Sequence, residues 1–266
     1  MDFLKSLKDM TDNFGMVQFS RLNHPNIKSG YTIDDVARAL IVASKFQNRT
    51  NSHKTEKLID IYLKFIEYCK LPDGRFHNVV KQDRTFADEV GSQDSFGRTI
   101  WGLGEAYSNL TEDYKKRIYP LIFDAVDSLE KKPLEFPISE SFTLLGITKF
   151  HDSLSQTERE KTLKSIKKIS LSLRKRIQKH RENEWYWPAE LMSYENARIP
   201  QALFRSYASE KDSRNLKEAK ELTNFLDSVV FENGFLHIIG NKGWYPKNRT
   251  KAKYDQQPVD AGAMTE

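Results

Sequence analysis

The sequence predicts an all-α protein whose helical hairpins form an α/α toroid, and three observations lead to this prediction. Apolar residues recur with helical spacing in nine segments, and no segment has a convincing strand pattern. Small residues occur on every other helix, which suits an inner ring of closely packed helices. Long connections alternate with short ones, so one end of the helical bundle carries elaborate loops.

The helix boundaries follow from residues that start or stop helices. Asn51-Ser52 precedes the second helix, Pro72-Asp73-Gly74 follows it, and Asn233-Gly234 follows the eighth. The nine helices are expected over 33–49, 54–70, 95–109, 112–130, 138–151, 156–180, 195–209, 212–229 and from 259 to the end. The small residues on alternate helices are Ala37, Ala39, Gly97, Gly102, Gly104, Ala197 and Ala202.

The composition is that of an ordinary globular protein, with 38% hydrophobic and 30% charged residues among 266. One domain spanning 1–266 is expected. The net charge of +5 is modest, so no nucleic-acid partner is expected. The start lacks the apolar region of a signal peptide, no stretch is apolar enough to span a membrane, and Cys69 is the only cysteine. These features favour a cytoplasmic protein.

The last helix begins only at 259, so a closed ring of six hairpins would need further segments. The toroid is therefore expected to be incomplete at its C-terminal end.

Three predicted inner helices begin with a weak repeat, in which an acid is followed three or four residues later by arginine. The repeat covers 34–40, 94–100 and 195–201, and Asp260 opens a further helix without the arginine. Capping of the helix start explains part of this pattern, because a carboxylate accepts hydrogen bonds from free N–H groups there. The same helices follow the long loops, which predicts a shared cleft. These loops are 71–94, 181–194 and 230–258.

The second long loop places three aromatic residues before a carboxylate, in the run from Glu184 to Glu190. Flat aromatic faces stack on pyranose rings, and apolar rings raise the pKa of a neighbouring carboxyl group, as a general acid requires. We expect Glu190 to be the general acid and Trp187 to contact sugar. The alternative is that the aromatic residues form a hydrophobic plug that locks the loop.

The first long loop offers a second carboxylate, Asp94, which is either a helix cap or a cleft acid that activates water or phosphate. Upstream of it, His77 and Asn78 are able to donate hydrogen bonds to hydroxyl groups, or are structural.

The third long loop contains Trp244 and then Asp255, Gln256 and Gln257, just before the last helix. An acid with neighbouring amides suits a polyol, since these groups donate and accept several hydrogen bonds. Asp255 is the alternative partner to Asp94 in catalysis. A simple polar turn is the competing interpretation.

Other catalytic patterns are missing from the sequence. It has no cysteine and histidine spacing typical of zinc, no nucleotide-binding glycine motif and no G-x-S-x-G elbow. We therefore predict neither a metal nor a cofactor.

Five segments of the sequence together form a recognisable set of motifs. They are Gly15 to Ser20, Gly30 to Leu40, Gly91 to Arg98, Tyr194 to Leu203 and Tyr254 to Asp260. They resemble a prokaryotic family of carbohydrate-associated α/α-toroid proteins related to six-hairpin glycosidases. Members are often labelled glycosyltransferase, because some are joined to, or encoded beside, glycosyltransferases and mannoside phosphorylases. The resemblance covers nearly the whole chain.

The family patterns are Asp-Asp-Asn-Ala-Arg and Tyr-Asp-Asn-Ala-Arg. Here Val36 stands in place of the first asparagine and Glu195 in place of the aspartate. Val36 is expected to remove a polar group from the cleft. Residues of the matching motifs are expected to order the cleft or contact substrate, and they are Asp34, Asp35, Arg98, Tyr194, Asn196 and Arg198.

The leading hypothesis is a carbohydrate-active protein that binds an oligosaccharide or glycoconjugate and hydrolyses, phosphorolyses or transfers a glycosyl unit by carboxylate acid–base catalysis. The first alternative is a non-catalytic glycan-binding module that works with a separate glycosyltransferase, which Val36 and the early end of the ring favour. The second is a helical-repeat scaffold for a protein partner, which would show an apolar groove without aromatic walls.

Overall fold

The computed structural model describes residues 4–266, in which ten α-helices form most of the structure. The helices are α1 (Lys5–Asp9), α2 (Ile33–Thr50), α3 (Glu56–Cys69), α4 (Gln93–Asn109), α5 (Glu112–Lys131), α6 (Pro137–Asp152), α7 (Arg159–His180), α8 (Arg198–Glu210), α9 (Ser213–Val230) and α10 (Pro258–Thr265). Two short 3₁₀ helices, Ile27–Ser29 and His53–Thr55, precede α2 and α3. None of the helices in 4–266 is long and apolar enough to cross a bilayer.

Alternate helices form an inner and an outer layer, as predicted. Helices α2, α4, α6 and α8 pack side by side in chain order, and α3, α5, α7 and α9 each pack behind the inner helix that precedes them. The end of α10 lies near both α8 and α2, because the Glu266 carboxylate is 2.5 Å from Nη1 of Arg198 and 3.7 Å from Nζ of Lys45. The predicted all-α toroid is confirmed.

Eight strands of two residues each were not predicted. They are β1 (Ser20–Arg21), β2 (His24–Pro25), β3 (Tyr31–Thr32), β4 (Val79–Val80), β5 (Leu191–Met192), β6 (Phe231–Glu232), β7 (Phe235–Leu236) and β8 (Tyr245–Pro246). They pair antiparallel as β1–β2, β3–β4, β5–β8 and β6–β7. A two-residue strand is too short to leave an alternating pattern in the sequence. The β3–β4 pair fastens the segment before α2 to the loop before α4, and the β5–β8 pair fastens the loop before α8 to the loop before α10.

Two helix starts differ from the prediction by three residues, and the others by two or fewer. Helix α7 begins at Arg159 rather than 156, and α8 begins at Arg198 rather than 195. The second difference has a clear cause: the backbone of Glu195 has φ 48°, a left-handed conformation that an α-helix does not tolerate. The carboxylate of Glu195 therefore lies ahead of α8, in the connection that follows β5.

The inner helices touch through glycine, as the small residues of the sequence predicted. A Cβ atom at Gly104 of α4 would lie 2.2 Å from the carbonyl oxygen of Gly146 of α6, and one at Gly146 would lie 2.2 Å from the carbonyl oxygen of Ile100. Neither position has room for a methyl group, so the two backbones are in direct contact. Nearer the starts of the same helices, a Cβ atom at Gly97 would lie 2.7 Å from the carbonyl oxygen of Ser139, so α4 and α6 are close there too.

We expect Gly104→Ala to lower the free energy of unfolding by about 3 kcal/mol, because the new methyl group must push two helix backbones apart. Urea denaturation of the purified protein measures the change. The matched control is Gly262→Ala in α10, where an added Cβ meets nothing within 4 Å. That control should change stability by no more than about 1 kcal/mol, in the stabilising direction. Equal effects for the two variants would contradict the close contact.

Candidate functional site

An open cleft of about 930 Å³ lies at the loop-bearing end of the toroid. It is formed by the starts of α2, α4 and α6, the connection before α8 and the loop before α10. Its lining residues are Asp34, Arg38, Ser92, Gln93, Asp94, Arg98, Phe136, Ile138, Ser193, Tyr194, Asn241, Trp244, Gln257 and Val259. Six of these belong to the predicted site: Asp34, Asp94, Arg98, Tyr194, Trp244 and Gln257.

Arg98 connects the acids of the repeat. Its side chain is only 5% exposed, and its Nη2 lies 2.5 Å from Oε2 of Glu195 while its Nε lies 3.2 Å from Oδ1 of Asp34. The guanidinium also stacks 4.3 Å from the centre of the Phe142 ring. One arginine of α4 thus holds a carboxylate from α2 and another from the connection before α8.

The charges of this cluster change its pKa values. Burial lowers the pKa of Arg98, but Asp34 and Glu195 outweigh burial, so the pKa lies above its usual value. Burial raises the pKa of Asp34, even though Arg98 and Arg38 oppose the shift. Within residues 4–266, Nη1 of Arg98 and Oδ1 of Asp34 are buried without a hydrogen-bond partner. Oδ1 of Asp34 still has its ion pairs with Arg98 and Arg38, whereas Nη1 of Arg98 has no partner among the described residues.

Asp94 is held by two hydroxyl groups. Ser139 at the start of α6 donates a hydrogen bond to Oδ1, and the phenol of Tyr194 donates one to Oδ2. Burial and this second bond raise the pKa of Tyr194, which keeps its proton in place. These bonds fix the orientation of the Asp94 carboxyl group at the edge of the cleft.

Capping does not explain the acids of the repeat. The α2 start is capped by Thr32, whose hydroxyl accepts a hydrogen bond from the N–H of Asp35 at 3.2 Å, and the α4 start is capped by Ser92 in the same way. Asp34 and Asp94 occupy the first turns of these helices. The alternative that Asp94 is a cap is therefore wrong. Their carboxylates instead meet arginine, serine and tyrosine side chains across the cleft.

Asp260 supports the site from behind. It is 6% exposed, and its Oδ1 accepts a hydrogen bond from the backbone N–H of Glu195 at 2.6 Å. This bond ties the first turn of α10 to the left-handed residue that presents its carboxylate to Arg98. The sequence repeat contained both Glu195 and Asp260, but neither was among the predicted site residues.

The pKa of Asp260 yields a test of this support. Burial raises the pKa to about 6 from the ordinary value of 3.8. The folded state then binds the proton more tightly than the unfolded state, so the stability from Asp260 is present at low pH and is lost as pH rises from about 4 to about 6. We expect Asp260→Asn to remove roughly 2 kcal/mol of this pH dependence, since an amide still accepts the Glu195 bond. Urea denaturation between pH 4 and 8 measures it.

The control for this experiment is Asp255→Asn, because Asp255 is exposed and lies five residues earlier in the same chain segment. It measures how far any Asp→Asn replacement in this segment changes the stability curve, and the effect of Asp260→Asn is taken relative to it. A curve for Asp260→Asn that runs parallel to that of the control would show that the Asp260 carboxyl group does not titrate differently on folding.

Glu190 is not where the predicted general acid should be. Its side chain is 64% exposed and absent from the cleft lining, and it pairs with Nδ1 of His180 at 2.8 Å and Nζ of Lys247 at 3.7 Å. The hydrogen bond from His180 lowers its pKa, with a smaller contribution from Lys247. The expectation of a raised pKa is wrong, because charged partners replace the apolar rings around this carboxylate.

The aromatic residues before Glu190 form the hydrophobic plug of the alternative interpretation. Trp187 is 1% exposed and packs against Phe225 of α9, with ring centres 6.3 Å apart. Trp185 and Tyr186 are also buried. Trp187 therefore has no free face for a sugar ring, and its role is in the core.

Four other predicted residues lie outside the cleft lining. His77 stacks on Phe86 at 3.8 Å and its Nδ1 lies 2.8 Å from the carbonyl oxygen of Asp88. Asn78 is fixed in the same turn by a backbone hydrogen bond to the Asp88 carboxylate at 2.7 Å, although its Oδ1 is buried without a partner within 4–266. Asp255 and Gln256 project into solvent. None of these four residues lines the cleft that contains the other predicted site residues.

Three motif residues lie beneath the cleft rather than on its surface. Asp35 closes the α2 cap and binds Arg38 at 2.6 Å. Asn196 is 7% exposed and donates to the Ser193 carbonyl oxygen at 3.0 Å. Arg198 stacks 4.5 Å from the Trp101 ring centre. These residues order the segments that carry the cleft, and they do not line it.

Val36 is fully buried in the core and does not line the cleft. The expectation that it removes a polar group from the cleft is therefore wrong. Its position in the first turn of α2 faces the packed interior, where a branched apolar side chain is the ordinary choice.

The structure adds residues that sequence reasoning missed. Arg38 lies four residues after Asp34, within the repeat, and its Nε is 3.4 Å from Oδ1 of Asp34. Phe136 is 56% exposed at the mouth of the cleft. Asn241 accepts a hydrogen bond from Nε1 of Trp244 at 2.7 Å. A signal existed only for Arg38, because Phe136 and Asn241 lie in connections without a repeated motif.

Fold and site together define a class: a helical toroid with a polar, aromatic-walled cleft at the starts of its inner helices. Solved structures share this fold. A sugar epimerase from a ruminal bacterium matches with a TM-score of 0.72 at 12% identity, covering 98% of this chain and 77% of that one. Cellobiose 2-epimerase from Bacillus thermoamylovorans matches at 0.67 with 13% identity, covering 88% and 73%.

A D-mannose isomerase matches with a TM-score of 0.65 at 11% identity, covering 90% of this chain and 73% of that one. Likeness at such low identity concerns the fold, and it agrees with the predicted six-hairpin type of toroid. No family model and no curated protein matches the sequence.

Proposed function

We propose that the protein is carbohydrate-active, and that its cleft binds an oligosaccharide and uses Asp34 and Asp94 for acid–base cleavage or transfer of a glycosyl unit. The observation that carries this proposal is the combination of two carboxylates and Arg98 with aromatic residues in one open cleft. Carboxylates and amides exchange several hydrogen bonds with sugar hydroxyls, and aromatic faces stack on pyranose rings. The aromatic residues are Phe136, Tyr194 and Trp244.

The two carboxyl groups have different surroundings, as an acid and a base require. Burial raises the pKa of Asp34, which suits the general acid. Asp94 accepts hydrogen bonds at both oxygens and is oriented as the base that activates water or an acceptor hydroxyl. Asp34 thus takes the place of Glu190 as general acid, and of the two predicted partners, Asp94 and Asp255, we retain Asp94.

Phosphorolysis is the least supported of the three reactions. Phosphate binding needs cationic groups that are free to meet it. Arg98 is already paired with Asp34 and Glu195, and Arg38 with Asp34 and Asp35. The acids outnumber the arginines at these contacts, which favours an uncharged sugar.

Epimerisation or isomerisation of a sugar is the second candidate, and the fold likeness to an epimerase and an isomerase favours it. This chemistry also needs a proton donor and a proton acceptor at the sugar. The described lining of the cleft offers Asp34 and Asp94 for that task and contains no histidine.

The non-catalytic alternative, a glycan-binding module partnered with a separate glycosyltransferase, is supported by the ion pairing of Asp34 with two arginines. A scaffold for a protein partner is less supported, because such a scaffold calls for an apolar groove without aromatic walls, and this cleft has aromatic walls together with Asp34, Asp94 and Arg98.

Proton NMR in D2O distinguishes the candidates in one experiment. The protein is incubated with cellobiose, mannobiose and maltotriose in turn, with and without inorganic phosphate. New anomeric signals from shorter sugars support glycosyl cleavage, whereas a new epimer with loss of a carbon-bound proton signal supports epimerisation. Saturation transfer to an unchanged sugar supports the binding module. Neither transfer nor turnover with any of the three sugars would overturn the proposal.

A further inference from the structure

A second cavity lies on the outer side of the loops that wall the cleft. It has a volume of about 780 Å³ and is formed by the connection after α7, the end of α9 and the loop after β8. Its residues do not overlap with those of the cleft. The two cavities come nearest in sequence at the start of β8, which we call the partition.

The partition presents one aromatic ring to each cavity. Trp244 lines the cleft, and the next residue, Tyr245, lines the outer cavity. The backbone of Trp244 is left-handed, with φ 52°, and the extended strand β8 starts at Tyr245, so the chain turns between the two rings. On the outer side, the Tyr245 ring meets the Trp185 ring edge to face at 5.4 Å, and Trp185 meets Phe225 in the same way at 5.5 Å. The partly exposed rings of Tyr245 and Phe225, which both contact the buried ring of Trp185, thus give the outer cavity an aromatic floor.

The rim of the outer cavity carries polar side chains that have no partner within the described chain. The side chains of Asn183, Glu184, Asn248 and Arg249 are exposed, and none has a hydrogen bond or ion pair within the described chain. Four polar side chains around an aromatic floor are the complement of a ring that carries hydroxyl groups on its edge and C–H groups on its face.

The charges of the rim nearly cancel. Glu182 pairs with Lys247 at 2.7 Å and Glu232 with Lys251 at 2.8 Å, which leaves Glu184 and Arg249 as one free charge of each sign. A strongly charged ligand such as nucleic acid would find no net field here. The cavity suits a neutral, hydroxyl-rich ligand.

We propose that this outer cavity is a second carbohydrate-binding site, separate from the cleft, that takes a neutral glycan chain. The existence of this cavity does not depend on the proposed function. The choice of a neutral sugar as its ligand does rest on the proposed function, because it uses the same polyol chemistry. A glycan with two contact points on either side of β8 would be retained longer than one held in the cleft alone.

Affinity electrophoresis in native gels tests the proposal, with glucomannan, glycogen or yeast mannan cast in the gel as the probe. The outer-site variant is Asn248→Ala with Arg249→Ala, and the cleft variant is Trp244→Ala. The matched control is Asn224→Ala with Arg205→Ala, a pair of exposed residues on α9 and α8 without side-chain partners in the described chain. Thermal melting of each variant confirms folding.

We expect one polysaccharide to retard the unaltered protein, and the outer-site variant to bind it at least fivefold more weakly while the control is unchanged. If the outer-site variant binds more weakly and Trp244→Ala binds as before, the outer cavity is a sugar-binding site and the cleft does not bind this polysaccharide. If the outer-site variant binds as before and Trp244→Ala binds more weakly, the proposal of an outer site is wrong and the proposed function of the cleft is unaffected. Absence of retardation by all three polysaccharides would also overturn the proposal of an outer site.

Discussion

Replacing Arg98 by methionine is expected to lower the free energy of unfolding by about 3–5 kcal/mol, the range for removing one partner from a buried ion pair. The methionine keeps most of the apolar stem but removes the positive charge that faces Asp34 and Glu195. Glu195 is 1% exposed and would then be a buried carboxylate whose remaining cationic neighbour, Arg198, lies 3.6 Å away. Urea denaturation at neutral pH measures the loss.

The control is Arg38→Met, which removes a similar charge at a more exposed position and shares one acid, Asp34, with Arg98. The Arg38 side chain is 39% exposed, and its pairs with Asp34 and Asp35 are within its own helix. Such exposed pairs contribute less than about 1 kcal/mol. If the two variants differed by less than about 1 kcal/mol, Arg98 would not be the electrostatic centre of the site.

The position of Arg98 explains why the sequence could identify the repeat but not its purpose. An acid and an arginine four residues apart suggest a pair within one helix, and Asp34 and Arg38 do lie within reach of each other. Arg98 instead reaches Asp34 of α2 and Glu195 ahead of α8. Contacts between segments about 60 and 100 residues apart depend on the packing of the inner helices, which no local pattern specifies.

The inner helices themselves were predictable because their signal is local. Glycine within a helical pattern, as at Gly102 and Gly104, has a cost in helix stability that close backbone contact explains, and Gly104 does meet Gly146. The helix periods and the alternation of long and short loops gave the inner and outer layers in the same way. The start of α8 was misplaced because nothing in the residue type of Glu195 announces its left-handed backbone.

The predictions for the loop residues were wrong for a different reason. Whether a loop side chain faces the cleft, the core or solvent depends on the pairing of short strands that leave no pattern in the sequence. The β5–β8 pair sets Leu191 against Pro246, and the Glu190 carbonyl oxygen accepts a hydrogen bond from the Lys247 N–H at 2.8 Å. That arrangement carries the Glu190 carboxylate to the same lysine, outside the cleft. The residue types of this loop suit the expected chemistry, but the Glu190 side chain points away from the cleft.

Asp94→Asn is expected to reduce turnover by about 10²–10⁴-fold on the sugar that the NMR experiment identifies, because removal of a general base has effects of this size. Asparagine has nearly the same shape, and its single carbonyl oxygen can keep a hydrogen bond from Ser139 or from Tyr194. Stability should therefore change little, by about 1 kcal/mol. Steady-state kinetics with the purified variant gives kcat and KM separately.

The Tyr194→Phe variant tests whether Asp94 acts as a general base or only holds Tyr194 in position. It removes the hydrogen bond from the phenol to Asp94 but leaves the carboxylate in place with Ser139. If Asp94 abstracts a proton, Tyr194→Phe should lower kcat only about tenfold, far less than Asp94→Asn, since orientation is impaired while the base remains. If Asp94 serves only to position Tyr194, the two variants should lose the same activity. Equal losses would assign Asp94 a positioning role and leave the proposed acid–base pair without its base.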